Sequence, residues 1–316
     1  MPPQPKPKMI SDEPRKGYRL QRWELYPEPD SVVPMMLLVP DTASPKRPAP
    51  AVLCLPGSDH PNEVLAGEPL ATGVQPPGFL EHNAMAKHLV RKGMVCLCIE
   101  NPATAALFDP RASDWRRHCL ELIWMGRSYE GLSLFHKLVA LKWLEHLPFV
   151  DRKRIAACGH SLGAKPALLL GVLTPSLCAV VWNSGAYDWR IRHVVTNLTP
   201  VAPWQYIPDF IRWFDYLDLK AALAPTPLLI SEGGCSKELR KVRQAYALAG
   251  APGNLKVSYM PGFRKPSRRT LDRRPMPEGL SGEAYGRYHN ATNAEHRFQY
   301  DVAVPWLSSV LGQSSR

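Results

Sequence analysis

Gly159-His160-Ser161-Leu162-Gly163 sets a serine between two glycines, each one residue removed, a spacing that exposes a hydroxyl at the tip of a tight turn. Side chains at the two flanking positions would block the turn and the approach of a strand to a helix. Small residues at Gly159 and Gly163 therefore leave Ser161 open to attack a carbonyl carbon. Such an attack needs a base, because a serine hydroxyl is a poor nucleophile near neutral pH until an imidazole takes its proton. Three histidines follow the serine and its expected helix: His193, His289 and His296. An acid must orient that imidazole, and the motif predicts the chain order serine, acid, histidine. A serine that merely capped a helix would need neither glycine.

The elements required to hold such a turn are legible around it. Residues 154–158 form a short apolar run and 164–172 are rich in Ala and Leu, which supplies the strand before the serine and the helix after it. Pro166 falls in the first turn of that helix, where a missing backbone donor costs least. Further short apolar runs at 52–55, 94–99, 179–182, 227–231 and 255–260 have the length of buried strands. Helical segments alternate with them: 84–92 ending at Gly93, a stripe of Leu134, Leu138, Leu141 and Leu144 before Pro148, and 236–249 ending at Gly250. This alternation predicts an α/β fold with a mainly parallel sheet covered on both faces. Residues 18–26 and 32–39 precede it as an antiparallel pair of strands.

Residues 1–16, rich in proline and charge, read as a disordered or extended tail, and 17–316 as one domain with inserts at 184–226 and 262–288. The first insert carries an aromatic helix over 207–219, a rim over the site or a peripheral core element. The second carries Arg264, Lys265, Arg268, Arg269, Arg273 and Arg274, which read as a solvated loop or as an electrostatic wall near the pocket mouth. A net charge of +11 could favour nucleic acid, but no aromatics interleave this basic cluster to stack bases, so no nucleic-acid partner is expected. No run approaches 18 apolar residues, which argues against a membrane span. The first residues lack the apolar centre of a signal peptide. Cytoplasm is the expected location, with a secreted form that has lost its leader left open. Seven cysteines are an odd set lying mostly in apolar runs, so no disulfide framework is expected. Cys96 and Cys98 are read as pointing to opposite faces of a strand, and no Cys/His pair with zinc spacing joins them. No metal is expected.

The run Asp151-Arg152-Lys153-Arg154-Ile155 leading into the Ser161 pentapeptide resembles the α/β-hydrolase superfamily, and within it the dienelactone-hydrolase and acetyl-xylan-esterase-like branch. Leu53-Cys54-Leu55-Pro56-Gly57 is similar to the strand and turn that carry the family's oxyanion loop, with Pro56 where a histidine usually stands. The resemblance implies the α/β-hydrolase fold and a serine esterase that needs no cofactor. It implies Ser161 as nucleophile and His296, just before the last helix, as base, with His289 the alternative. The acid position after the strand at 227–231 holds Glu232, and Asp188 is the alternative used by some members. The oxyanion donors would be the backbone N–H groups of Leu162 and Ser58. Lys165 matches a lysine that contacts an acidic sugar in glucuronoyl esterases, although the arginine after their nucleophile is Leu162 here. The implied substrates are small or carbohydrate-linked esters, acetyl or uronate. The competing expectation is a non-catalytic hydrolase-fold protein that binds a ligand or partner.

Overall fold

A computed structural model describes residues 7–58, 60–70, 77–107, 115–196 and 203–312. Nine strands form one sheet: β1 Lys8–Arg15, β2 Tyr18–Leu25, β3 Val33–Pro40, β4 Ala49–Leu55, β5 Val95–Ile99, β6 Val150–His160, β7 Leu177–Asn183, β8 Leu228–Ile230 and β9 Leu255–Val257. Their order is β1-β2-β3-β5-β4-β6-β7-β8-β9. The first three strands and β5 pair antiparallel, and every pairing from β5 to β9 is parallel. This is the predicted α/β-hydrolase architecture.

Alternation along the central strands divides the apolar side chains between two cores. Leu37, Leu53, Leu97 and Ala157 face one side, packed under the helices Tyr129–Leu144, Ala164–Leu173, Tyr216–Ala222 and Ser236–Leu248. Met36, Cys54, Cys96, Cys98 and Cys158 face the other, under Met85–Val90 and Tyr300–Gly312. Cys96 and Cys98 therefore share a face, contrary to the sequence reading, because the side-chain period of a strand is two. All seven cysteines are free. Among the described residues no helix is long and apolar enough to cross a membrane.

Two further expectations change. Residues 8–15 are not a loose tail but the edge strand β1, held by its ladder to β2 and by ion pairs such as Arg15 to Glu68 at 2.8 Å, neither of which apolar content foretells. The aromatic segment 207–219 is two short helices, Phe210–Trp213 and Tyr216–Ala222. Asp215 breaks it: its carboxylate accepts from the backbone N–H of Leu217 while Asp218 accepts the N–H of Asp215, a reciprocal cap that starts a helix rather than continues one. Between residues 262 and 288 the chain makes 3₁₀ turns and one helix, Gly282–Tyr288.

Candidate active site

Ser161 follows β6 directly, at the carboxyl end of the parallel sheet where α/β folds place their ligands. Its φ of 51° is left-handed, a strained value for a residue with a side chain. The glycines make it attainable. A Cβ on Gly159 would stand 2.0 Å from the carbonyl oxygen of Gly163, and one on Gly163 would stand 2.3 Å from that of Leu55. The turn thus packs against the end of β4 and the loop beyond it. There a Cβ on Gly57 would lie 3.4 Å from that of Ser161.

That loop is tied down from below. Asn101 donates to the carbonyls of Pro56 and Gly57 at 3.3 Å each, and the buried Lys137 donates to Oδ1 of Asn101 at 3.0 Å. Burial pulls the Lys137 ammonium down to about 8. Neither residue was singled out from sequence, since a lysine inside an apolar helical stripe reads as solvated until its surroundings are known.

His296 lies in the loop before the last helix, and its Nδ1 is 2.7 Å from Oε2 of the fully buried Glu232. Burial opposes the charged imidazole, but the Glu232 carboxylate and its hydrogen bond outweigh that, and the net pKa is raised. Asn183, at the end of β7, fixes both partners. Its Nδ2 donates to Oε1 of Glu232 at 3.2 Å and to the carbonyl of Arg297 at 3.0 Å, and its Oδ1 accepts from the backbone of Gln299 at 2.9 Å. A polar residue ending an apolar strand was the available sequence signal for this clamp. His160 also meets Asn183, through Nδ1 at 2.9 Å, and its ring lies 4.7 Å from that of His296. Burial first, then the neighbouring His296 and His60, hold its pKa well below that of a free imidazole.

The two alternatives have other occupations. Asp188 caps the helix Trp189–Val195, its Oδ1 accepting from the backbone of Ile191 at 2.9 Å. His289 is fully buried, its Nε2 2.8 Å from Oε1 of Glu238 and its Nδ1 2.9 Å from the carbonyl of Tyr285. The side chain of His193 lies outside the described residues.

Ser161 and His296 both line a cavity of about 310 Å³, together with Ser58, Leu162 and Lys165. Aromatic rings of Tyr187, Trp189 and Trp204 form much of the remaining wall, and none of the six basic residues at 264–274 reaches it. The second insert instead contributes Gly282, Glu283, Tyr285 and Gly286, and the segment after it Ala291 to Asn293. Lys165 is buried, its ammonium 4.8 Å above the Trp189 ring and 3.8 Å from Oε1 of Glu130. Burial lowers its pKa to about 8 against the pull of Glu130, and burial raises that of Glu130.

Among the described residues two groups have ligand atoms close enough for a metal, His160 with Glu232 and His296, and Cys235 with Glu238 and His289. In each, the carboxylate and one imidazole already spend those atoms on a mutual hydrogen bond.

Several solved structures are similar. A proposed acetyl xylan esterase from Bacteroides fragilis NCTC 9343 superposes with a TM-score of 0.90 at 33% identity, over 98% of this chain and 83% of that one. Glucuronoyl esterase from Solibacter usitatus gives 0.62 at 14% identity, over 98% and 87%. Acetyl xylan esterase 1 from Thermoanaerobacterium sp. JW/SL YS485 gives 0.52 at 15%, over 97% and 88%. The latter two share the fold. No curated protein matches the sequence. A family model does match residues 2–309, nearly the full length, and by that match the chain belongs to the Abhydrolase family.

Proposed function

We propose that this protein is a serine-dependent carboxylic ester hydrolase acting through an acyl-enzyme. The observation that carries the reading is the 2.7 Å bond from Nδ1 of His296 to Glu232, on the wall of a cavity that the strained Ser161 also lines. Oγ of Ser161 attacks the ester carbonyl while its proton passes to Nε2 of His296, and Glu232 stabilises the imidazolium. Backbone N–H groups of Leu162 and Ser58 hold the developing oxyanion. Collapse breaks the bond to the alcohol, which leaves with the proton from His296. Water, deprotonated by the same imidazole, then attacks the acyl carbon and frees Ser161. No step calls for a metal or organic cofactor.

The substrate class follows from the wall and from the relatives. Aromatic rings beside polar groups suit a sugar ring, and the similar proteins named above are acetyl xylan and glucuronoyl esterases. A small or carbohydrate-linked ester, acetyl or uronate, is therefore the proposed substrate, with Lys165 a contact to its polar part. A fluorophosphonate probe should label the wild type and fail on Ser161→Ala. A panel of acetylated sugars, uronate esters and short aryl esters should show turnover in the wild type. An unlabelled wild type that turns over none of them would favour the non-catalytic binder.

A further inference from the structure

Three basic side chains line the cavity, and two of them face a carboxylate. His296 has Glu232 and Lys165 has Glu130. The third, Arg192, has none within ion-pair distance among the described residues, and its Nε is buried without a hydrogen-bond partner. Its guanidinium is not loose. It lies over two rings of the same wall, its Cζ 4.7 Å from the centre of Trp189 and 5.6 Å from that of Tyr187. A cation held against aromatic faces in this way keeps its N–H donors available for a planar acceptor. The one carboxylate on the cavity wall among the described residues, Glu283, already accepts from Thr292 Oγ1 at 3.0 Å and from the backbone of Asn293 at 3.3 Å.

Arg192 as a whole is only partly buried, but its buried Nε has no acceptor, a shortfall that a bound ligand would relieve, and the planar guanidinium fork matches a carboxylate through two parallel bonds. We propose that Arg192 is the recognition group for a free carboxylate on the substrate, so that the preferred ester is anionic. This rests on the ester-hydrolase reading and narrows it. An ester formed at a uronate's own acid group has spent that carboxylate in the bond to be broken, so the proposal requires a second acid. The substrate is a monoester of a dicarboxylic acid, or an acyl ester of an alcohol that carries a carboxylate.

Two matched pairs separate these sources: mono(4-nitrophenyl) glutarate against 4-nitrophenyl pentanoate for the acyl side, and 4-acetoxybenzoate against its methyl ester for the alcohol side. The wild type should favour the charged member of one pair by at least about 10-fold in kcat/KM. Arg192→Met should abolish that preference and Arg192→Lys keep part of it. The ratio is internal to each variant, so partial unfolding cancels. Equal rates for both members of both pairs in the wild type, or a preference that survives Arg192→Met, would overturn the proposal while Ser161 chemistry stands. If no ester is turned over, the ester-hydrolase reading is what has failed. Glutarate and neutral glutaramide titrated calorimetrically into Ser161→Ala then decide the matter. Glutarate binding that Arg192→Met removes supports the site, and equal or absent binding refutes it.

Discussion

Glu232 sits where no water reaches it, and a buried carboxylate must be satisfied by its neighbours. Here they are the imidazole of His296 and the amide of Asn183. The arrangement gives a signed pH prediction. The carboxylate stabilises imidazolium and so raises the pKa of His296, while the reaction needs that imidazole neutral. Activity should fall with acid through the His296 pKa. Replacing Glu232 by Gln removes the charge but keeps the shape. The acidic limb of the kcat/KM profile should then move to lower pH, and the plateau should fall by about 10²- to 10⁴-fold. A limb that stays in place in the variant would separate Glu232 from the titrating base. Ser161→Ala should cost at least about 10³-fold in kcat, read on an aryl ester.

At the scale of the element, one turn sets the geometry around Ser161, and a buried pair away from the cavity wall separates the two late histidines. The strand–turn–helix around Ser161 works because β6 and its helix approach to the limit of backbone contact, with room for hydrogen alone at Gly159 and Gly163. Gly163→Ala should force the turn from the end of β4 and cost at least about 3 kcal/mol in a denaturant titration, with loss of fluorophosphonate labelling. The two late histidines should respond differently. His289→Ala strands the buried Glu238, whose other oxygen accepts the backbone N–H of Asp188, and should cost about 3 to 5 kcal/mol of stability. His296→Ala, at a side chain one-third exposed, should lose turnover with a smaller fall in midpoint, because its removal opens Glu232 to water where removal of the fully buried His289 does not. Matching losses of stability in both variants would undo the distinction.

Across the whole molecule, the sheet separates what stabilises from what reacts. Its antiparallel edge, β1 to β3, lies on the far side of β5 and β4 from the Ser161 strand β6. The candidate groups gather at the carboxyl ends of β4, β6, β7 and β8. Deleting residues 1–16 removes a ladder and the Arg15 to Glu68 pair, and bares β2 as a new edge. A loss on the order of 1–2 kcal/mol is expected, with a tendency to associate, while labelling of Ser161 persists. Thermal midpoint, size-exclusion profile and probe labelling of the shortened chain check this together.

The residues alone determined the turn at Ser161 and where the buried strands fall along the chain, because both are local: a pentapeptide encodes its own backbone conformation, and a buried strand is a short apolar run. Proline and glycine marked where the main helices stop for the same reason. Tertiary structure had to choose between Glu232 and Asp188 as partner for an imidazole, and between His289 and His296 for a place on the cavity wall. In each case the pattern offered two residues of the right type in loops of similar length. What separated them was which loop end lies beside β6, and whether the side chain was already spent, Asp188 on a helix cap and His289 on Glu238. The strand at 8–15 stayed hidden because hydrogen bonds and ion pairs hold it, and neither leaves an apolar period. Asp215 hid the break in the aromatic segment, since a cap declares itself only when the backbone it caps is in place.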